Sequence, residues 1–552
     1  MYWKNSVVYQ IYPRSFLDSN SDGIGDIQGI ISKLDYLENL GVDILWICPV
    51  YDSPMDDNGY DISDYYNIAK EFGTLEDMKK LIYEAGKRGL KIIMDLVINH
   101  TSDEHSWFLE SKSSLLSSKR EWYIWADPDK NGDPPSNIKS IFGGSSWEFD
   151  EKTKQYYFHV FSKKQPCLNW NNREVRTQLY KMINWWLDLG ISGFRVDAIT
   201  YIKKSDRIFN PSNTNDIHCN DVCLNQNGID KWLNELKLFG FENGEVMTVA
   251  EAPGVQGDNL LKYTGSSGFF SMIFTFDHVD LDLKDGGLWN DPKNWGIKEL
   301  RKALFSTQKL LDNSGWPALY FENHDQPRSI NKYFPEKSIS IYTKKLLAML
   351  LFFQKGTPFI YQGQEIGMTN VKYDSIEKYK DIASVNQYNE CILSGFTKND
   401  ALKVLWNRSR DNSRTPMQWS REINAGFSKI KPWIEINENY TYINVEDQLI
   451  NSKSLLHFYR SLIKLRKSSE YRDLIIYGKF IPLLQNSQNL ISFKREYKNK
   501  YLIFICNFSD KEVPYNPDCG IDKVVVSNYE TWDILLQFNR LRAYETVVYI
   551  AK

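Results

Sequence analysis

Three things are scarce in this sequence: cysteine, long apolar runs, and charge of one sign. Seven cysteines among 552 residues are odd in number and lack framework spacing. That excludes a disulfide-stapled secreted scaffold and predicts reduced thiols in a cytoplasmic protein. The longest clean apolar run, LLAMLLFF at 346–353, falls far short of the ~18 residues that suggest a membrane span. A net charge of −3 without a basic block or stripe lacks the electrostatic footprint of a nucleic-acid partner. The opening MYWKNSVVYQIYP does not run from basic to apolar to small residues as a secretory leader does. Neither nucleic acid nor membrane is therefore expected as a partner, and the expected state is a monomer or weak homo-oligomer. The cluster HCNDVC at 218–223 looks like a fragment of a metal site. No second Cys or His pair follows at zinc spacing, so a surface loop is the expected reading.

Aromatics are abundant, with 17 Trp and 33 Tyr. Their flat faces suit sugar rings, although a large core consumes them as well. The length exceeds a single simple core, so two or three structural units are expected. Short β-branched runs recur at 6–13, 42–51, 91–100, 191–198, 246–254, 271–279, 318–326 and 357–365, separated by helical stretches such as 27–40, 173–190 and 340–354. Continuous apolar strands alternating with helices predict an α/β fold whose parallel sheet is covered on both faces. Eight such units predict a closed (β/α)8 TIM barrel. Residues 101–169, rich in Trp, Gly, Pro and Asn, are too many for a bare connection and predict a small inserted domain after strand three. Past residue 476 the helical period stops, and strand-like runs predict a C-terminal antiparallel β-sandwich domain over 477–552. The barrel then occupies 1–100 and 170–476.

Polar residues collect where barrel strands end, the rim on which such folds carry their active sites. Strand three ends in Asp95, Asn99 and His100, strand four in Arg195 and Asp197, strand five in Glu251, and strand seven in Glu322, Asn323, His324 and Asp325. Any one acid has an ordinary explanation as a helix cap; four successive clusters at one rim do not.

DLVINH, GFRVDAIT, the AE of TVAEAPG, and FENHDQ resemble the four sequence regions of the α-amylase superfamily, glycoside hydrolase family thirteen. VVYQIYPRSF, NGYDISDYY, FGGSSWEFD, QPCLNWNN, RTPMQW and YQGQEIGMTN are similar to its oligo-1,6-glucosidase and α-glucosidase branch. The resemblance spans nearly the whole chain. It implies a retaining exo-α-glucosidase that frees glucose from the non-reducing ends of maltose-type or isomaltose-type oligosaccharides by double displacement, with no catalytic cofactor. Asp197 would be the nucleophile, kept ionised and aimed by Arg195 on the same face of the pleat, with Asp95 supporting the arginine. Glu251 would be the general acid and then base, which needs a raised pKa. Asp325 would hold sugar hydroxyls and the oxocarbenium-like transition state, and His100 and His324 would donate hydrogen bonds to the same ring.

The resemblance further implies that Asp61 and Arg414 pair around the non-reducing end and close a pocket, with Tyr60, Phe142, Phe161 and Gln165 in its wall. Ala198 follows the nucleophile. Within the branch, valine there accompanies α-1,6 preference, so alanine tilts towards α-1,4-linked or mixed substrates. Cys167 stands where the branch usually has aspartate, VAEAPG replaces the more common glutamate-Met-Pro-Gly, and PRSINKYF lacks an arginine common downstream of the strand-seven motif; all three flank the aglycone side. DSNSDGIGD (18–26) presents Asp18, Asn20, Asp22 and Asp26 at alternating spacing with the Ile24 carbonyl between them. Gly29 replaces the bidentate Glu of an EF-hand, yet in related glucosidases this loop holds Ca2+, so a structural ion is expected. The alternative within the family is a sucrose- or trehalose-directed hydrolase or isomerase. The isomerase would show an Arg- and Asp-rich loop after strand seven, which SINKYFPEKS does not. Transporter heavy chains use the same barrel without catalysis, but they require a membrane helix and usually lose the acids present here.

Overall fold

A computed structural model describes residues 1–209, 217–241, 245–284, 287, 289–517, 520–531, 535 and 539–552. The eight expected runs are eight short parallel strands: β1 (Val8–Ile11), β2 (Ile44–Ile47), β3 (Lys91–Leu96), β4 (Gly193–Val196), β5 (Met247–Glu251), β6 (Met272–Phe274), β7 (Ala318–Leu319) and β8 (Thr357–Tyr361). Their hydrogen-bonded order is β6-β5-β4-β3-β2-β1-β8-β7. A parallel bridge between Ile273 and Pro317 returns β6 to β7 and closes the barrel. Along β1 and β2, Val8, Ile44 and Trp46 fill the barrel, whereas Tyr9, Ile11, Leu45 and Ile47 pack outward beneath the helices. Both faces of each strand are apolar because both are covered.

The helix Arg173–Asp188 shows how the outer layer forms. Val175, Leu179, Ile183 and Trp186 recur on its buried face, and the Asn172 side chain caps it by accepting from the Glu174 N–H, a contact worth about 1 kcal/mol. The stretch 27–40, expected as one helix, is two: Ile27–Ser32 and Leu34–Leu40. Lys33 leaves helical geometry at φ −108° and ψ 8°, which lets Leu34, Leu37 and Leu40 stay on the core.

Between β3 and β4 the chain forms a three-stranded antiparallel sheet, with Gln155–Phe158 between Trp125–Ala126 and Trp147–Asp150. It returns to the barrel rim through a bridge of Cys167 with His100 and a hydrogen bond from Leu168 N to Asn99 O of 3.0 Å. After the helices Leu455–Ser468 and Arg472–Tyr477, a five-stranded antiparallel sheet runs in the order Lys479–Leu483, Leu490–Tyr497, Lys500–Asn507, Thr546–Ala551, Ile521–Ser527. One face, with Ile491, Phe493 and Phe504, joins the main core; the other, with Leu490, Ile503 and Ile505, packs beneath a two-stranded ribbon of Val513–Pro514 and Arg540–Leu541. Among the described residues no helix is long and apolar enough to cross a membrane.

Candidate active site

Strand register assembles the centre of the rim. A Cβ at Gly193, whose φ is +152°, would lie 1.8 Å from the Met247 carbonyl oxygen, so glycine is what lets β4 lie against β5 here. Arg195 then stands opposite Asp95 of β3 and Val249 of β5, and Val196 stands opposite Ala250. One residue on, Asp197 comes level with Glu251, the last residue of β5. With residues two apart sharing a face and strands about 4.8 Å apart, these four side chains converge inside the barrel mouth.

Arg195, only 1% exposed, is the hub. Its Nη1 donates to Asp95 Oδ1 at 2.5 Å and to Asp197 Oδ1 at 2.7 Å, and its Nη2 lies 2.5 Å from Glu251 Oε1. Glu251 Oε2 accepts from Ala198 N at 2.9 Å. Ala198 adopts φ +43° and ψ 35°, the left-handed turn that aims this N–H. Trp46 Nε1 donates to Asp95 Oδ2 at 2.7 Å. Two carboxylates on neighbouring nitrogens of one guanidinium fit the ~5–5.5 Å separation of a retaining pair. Burial pushes the Asp197 carboxyl well up, and the charges of Glu251 and Asp95 add to that while Arg195 opposes it. Burial also works against the charge of Arg195, but Glu251, Asp95 and Asp197 hold its pKa well above the ordinary value.

A second cluster forms around Asp325. Its Oδ1 accepts from Arg414 Nη2 at 2.8 Å and Arg410 Nη1 at 3.2 Å, and its Oδ2 lies 2.9 Å from His324 Nε2. Gln10 Nε2 stands 2.8 Å from His324 Nδ1, which leaves Nε2 to carry the proton. Burial acts against ionising Asp325, yet His324, Arg410 and Arg414 hold its carboxyl well below the usual range. Tyr60 joins the two clusters. Its ring stacks on His324 at 5.3 Å, its hydroxyl lies 2.6 Å from His324 Nε2, and the Arg195 guanidinium lies 5.8 Å from its centroid.

The expected Asp61–Arg414 pair does not form. Asp61 is fully buried and spends its carboxylate on the Asp56 and Asp57 N–H groups, at 2.8 and 3.0 Å, shaping the turn before Tyr60. Arg414 is committed to Asp325 and to the His324 carbonyl. The pair that bridges these segments is Asp57 with Arg410, Oδ1 to Nη2 at 3.2 Å. Arg410 also bonds Asp381 at 2.6 Å and lies 5.1 Å from the centroid of the Phe142 ring. Gln165 Nε2 donates to Asp57 Oδ2 at 3.2 Å, and Phe161 contacts Phe142 and His100. His100 is in place but not free to serve a ring hydroxyl. Its Nδ1 faces the Asn99 amide at 3.0 Å and its Nε2 donates to Tyr60 O at 3.1 Å, while burial pulls its pKa down to about 3. Asp57, Arg410 and Asp381 are thus additions to the site. SRDNSR places two arginines four residues apart, and MDDNGYD holds three aspartates, Asp56, Asp57 and Asp61; spacing alone cannot choose within either set.

The 18–26 loop is folded by its own side chains. Asp18 accepts from the N–H groups of Asn20, Ser21, Asp22 and Gly23 and from the Ser428 hydroxyl. Asp26, expected as an ion ligand, caps the helix at Gly29 N and binds Ser19. Asp18, Asn20, Asp22 and the Ile24 carbonyl are suitable oxygen donors for a hard cation, but among the described residues no three acidic, Cys or His side chains converge as a metal site. HCNDVC lies at the surface through His218, Asn220 and Asp221, which are exposed, but it forms a short helical turn instead of a loop. Cys219 and Cys223 are fully buried on the turn Cys219–Cys223, against Cys167, Ala198 and Tyr201.

A family model described as the alpha amylase catalytic domain matches residues 10–476. The chain is 48% identical to the probable oligo-1,6-glucosidase 3 of Bacillus subtilis, over 96% of this chain and 95% of that one. It is 45% identical to the oligo-1,6-glucosidase of Parageobacillus thermoglucosidasius, over 100% and 99%. The crystal structure of Bacillus licheniformis trehalose-6-phosphate hydrolase superposes with a TM-score of 0.91 at 40% identity, covering 100% of both chains.

Proposed function

The chain belongs to the alpha-amylase family of glycoside hydrolases, and from that premise we propose that it is a retaining exo-α-glucosidase that removes single glucose units from short α-linked oligosaccharides. The observation that carries this reading is Arg195 fastening Asp197 and Glu251 at 2.7 and 2.5 Å. Hydrolysis needs a charge on Asp197 and a proton on Glu251 at the start of the reaction. Asp197 Oδ attacks the anomeric carbon as Glu251 gives its proton to the departing glycosidic oxygen, leaving a covalent glycosyl ester. Glu251, now a base, takes a proton from water, which attacks the same carbon and frees Asp197. Asp325, held anionic by its cations, faces the positive charge that develops on the ring.

Asp57 and Arg410 close the end of the pocket, which explains removal of one unit at a time. Homology to oligo-1,6-glucosidases supports α-1,6-linked substrates, and Ala198 supports α-1,4-linked ones beside them. The six described cysteines are all free and buried, in keeping with a cytoplasmic enzyme. A Ca2+ ion held by Asp18, Asn20, Asp22, Asp26 and the Ile24 carbonyl would be structural.

The test is product analysis with maltose, maltotriose, isomaltose, sucrose, trehalose and trehalose 6-phosphate, with the anomer read by NMR. The expected result is α-glucose, released one unit at a time from maltose- and isomaltose-type chains. Release of β-glucose, or turnover confined to sucrose, trehalose or trehalose 6-phosphate, refutes the reading.

A further inference from the structure

Outside the catalytic pocket, four charged side chains meet where three rim segments come together. Lys332, on the short helix Ser329–Tyr333, has a side chain only 3% exposed, and its Nζ donates to Asp282 Oδ1 at 3.1 Å. The same oxygen accepts from Arg408 Nη1 at 3.0 Å, and Arg408 Nη2 lies 3.6 Å from Asp280. Asp280 and Asp282 belong to the segment leaving β6, at the catalytic end of the barrel. Lys332 lies seven residues after Asp325, and Arg408 ends the helix Lys398–Arg408 two residues before Arg410. Tyr333 and His278 face the same cluster. Tyr333 donates to the His278 carbonyl at 2.8 Å, and His278 Nε2 to Tyr320 O at 2.7 Å. On the other side, Gln256 Nε2 donates to Asp277 Oδ1 at 3.1 Å, which ties the β6 segment to the one that follows Glu251.

Resting on the glucosidase reading, we propose that Lys332 and Arg408, with Asp280 and Asp282, form a clamp that positions Asp325 and Arg410 for the transition state. The cluster is built at an energetic cost. Burial pulls Lys332 down to about 8, with Arg408 adding to the pull and the two aspartates opposing it. A buried lysine held charged in that way is a poor choice for packing alone, where an apolar side chain would serve as well. Its pairing does join the segments after β6, β7 and β8, and two of those carry Asp325 and Arg410. None of the four touches the reacting atoms, so they are positioning residues.

The experiment compares Lys332→Met, Lys332→Arg and Asp282→Asn with wild type on p-nitrophenyl α-glucoside. It also measures the affinity of each for glucose and for a cationic, glucose-shaped iminosugar. Lys332→Met and Asp282→Asn are expected to lower kcat by about tenfold or more with little change in KM, since small misplacements of catalytic groups are costly. Iminosugar affinity should fall in parallel and glucose affinity should hold, because only the former reports the charged transition state. Lys332→Arg should restore both. Unchanged kcat in Lys332→Met and Asp282→Asn, failure of Lys332→Arg to restore, or equal weakening of both ligands overturns the clamp and leaves the function intact. Asp282→Asn keeps the shape of the site, so it decides the matter if Lys332→Met does not fold. A wild type inactive on every α-glucoside overturns the function, and the clamp's catalytic role with it.

Discussion

Replacing Arg195 by methionine removes the one cation that, among the described residues, touches Asp197 and Glu251 together. In the wild type its guanidinium lies 2.7 Å from Asp197 Oδ1, at a residue 1% exposed. An arginine this close lowers an aspartate pKa by about 1–3 units, and each unit is worth about 1.4 kcal/mol. Burial and the charges of Glu251 and Asp95 already push Asp197 upward, so without Arg195 it moves higher still. On the proposed mechanism Asp197 attacks as an anion, so the acid limb of kcat/KM shifts to higher pH by those 1–3 units. At a pH below the new limb, kcat/KM falls about 10- to 1000-fold from ionisation alone. Lost aim and the opened contact with Glu251 add to that fall. Arg195→Lys separates the two contributions. An ammonium restores charge beside Asp197 but cannot span the two nitrogens that reach Asp197 and Glu251. Its acid limb should return towards wild type while kcat stays low. The assay is steady-state hydrolysis of p-nitrophenyl α-glucoside from pH 4 to 9, after a melting curve has shown each variant folded. An acid limb unmoved in Arg195→Met, with kcat/KM within threefold of wild type, would falsify the reasoning.

Asp57→Asn and Arg410→Met are each expected to lower kcat/KM for maltose by about 10- to 100-fold, the worth of a charged hydrogen bond. Asp61→Asn should show its cost, about 1–3 kcal/mol, as a lower Tm with kcat/KM largely kept; the opposite ranking restores Asp61 to the pocket. Ala198→Val places a β-branched residue at φ +43°, so Tm should drop by an amount matching roughly 1–2 kcal/mol of strain. In the same variant the isomaltose-to-maltose ratio of kcat/KM should rise, and a ratio that stays put removes the link between this position and linkage choice. Treatment with a chelator should lower Tm if the 18–26 loop holds Ca2+; an unchanged melting curve together with no metal by elemental analysis removes the ion.

How much of the site was legible followed from how local its geometry is. Arg195 and Asp197 lie two residues apart on one strand, so the pleat itself puts them on one face, and that shared face could be read directly from GFRVDAIT. The eight strands were legible because each is a short apolar run whose length and flanks exclude a buried helix. The break at Lys33 was not, because the apolar period of 27–40 runs through it and only the docked backbone shows the bend. In HCNDVC the polar residues face solvent as their chemistry suggests, but that Cys219 and Cys223 turn inward beside Ala198 and Tyr201 is set by the packing of another segment. The resemblance implies Arg414 at the pocket end, yet Arg410 is the arginine that reaches Asp57 while both bind Asp325, and that choice is set by loops distant in sequence.

By itself the sequence determined the barrel and the strand-borne acids, because period, strand length and residue type act over a few neighbouring positions, and its motifs carried the resemblance to the family. Only the tertiary structure decided which carboxylate meets which cation at the pocket end, and that His100 is spent on Tyr60. Those contacts join residues as much as 353 positions apart, and at that range partners are chosen by how loops pack on a shared rim.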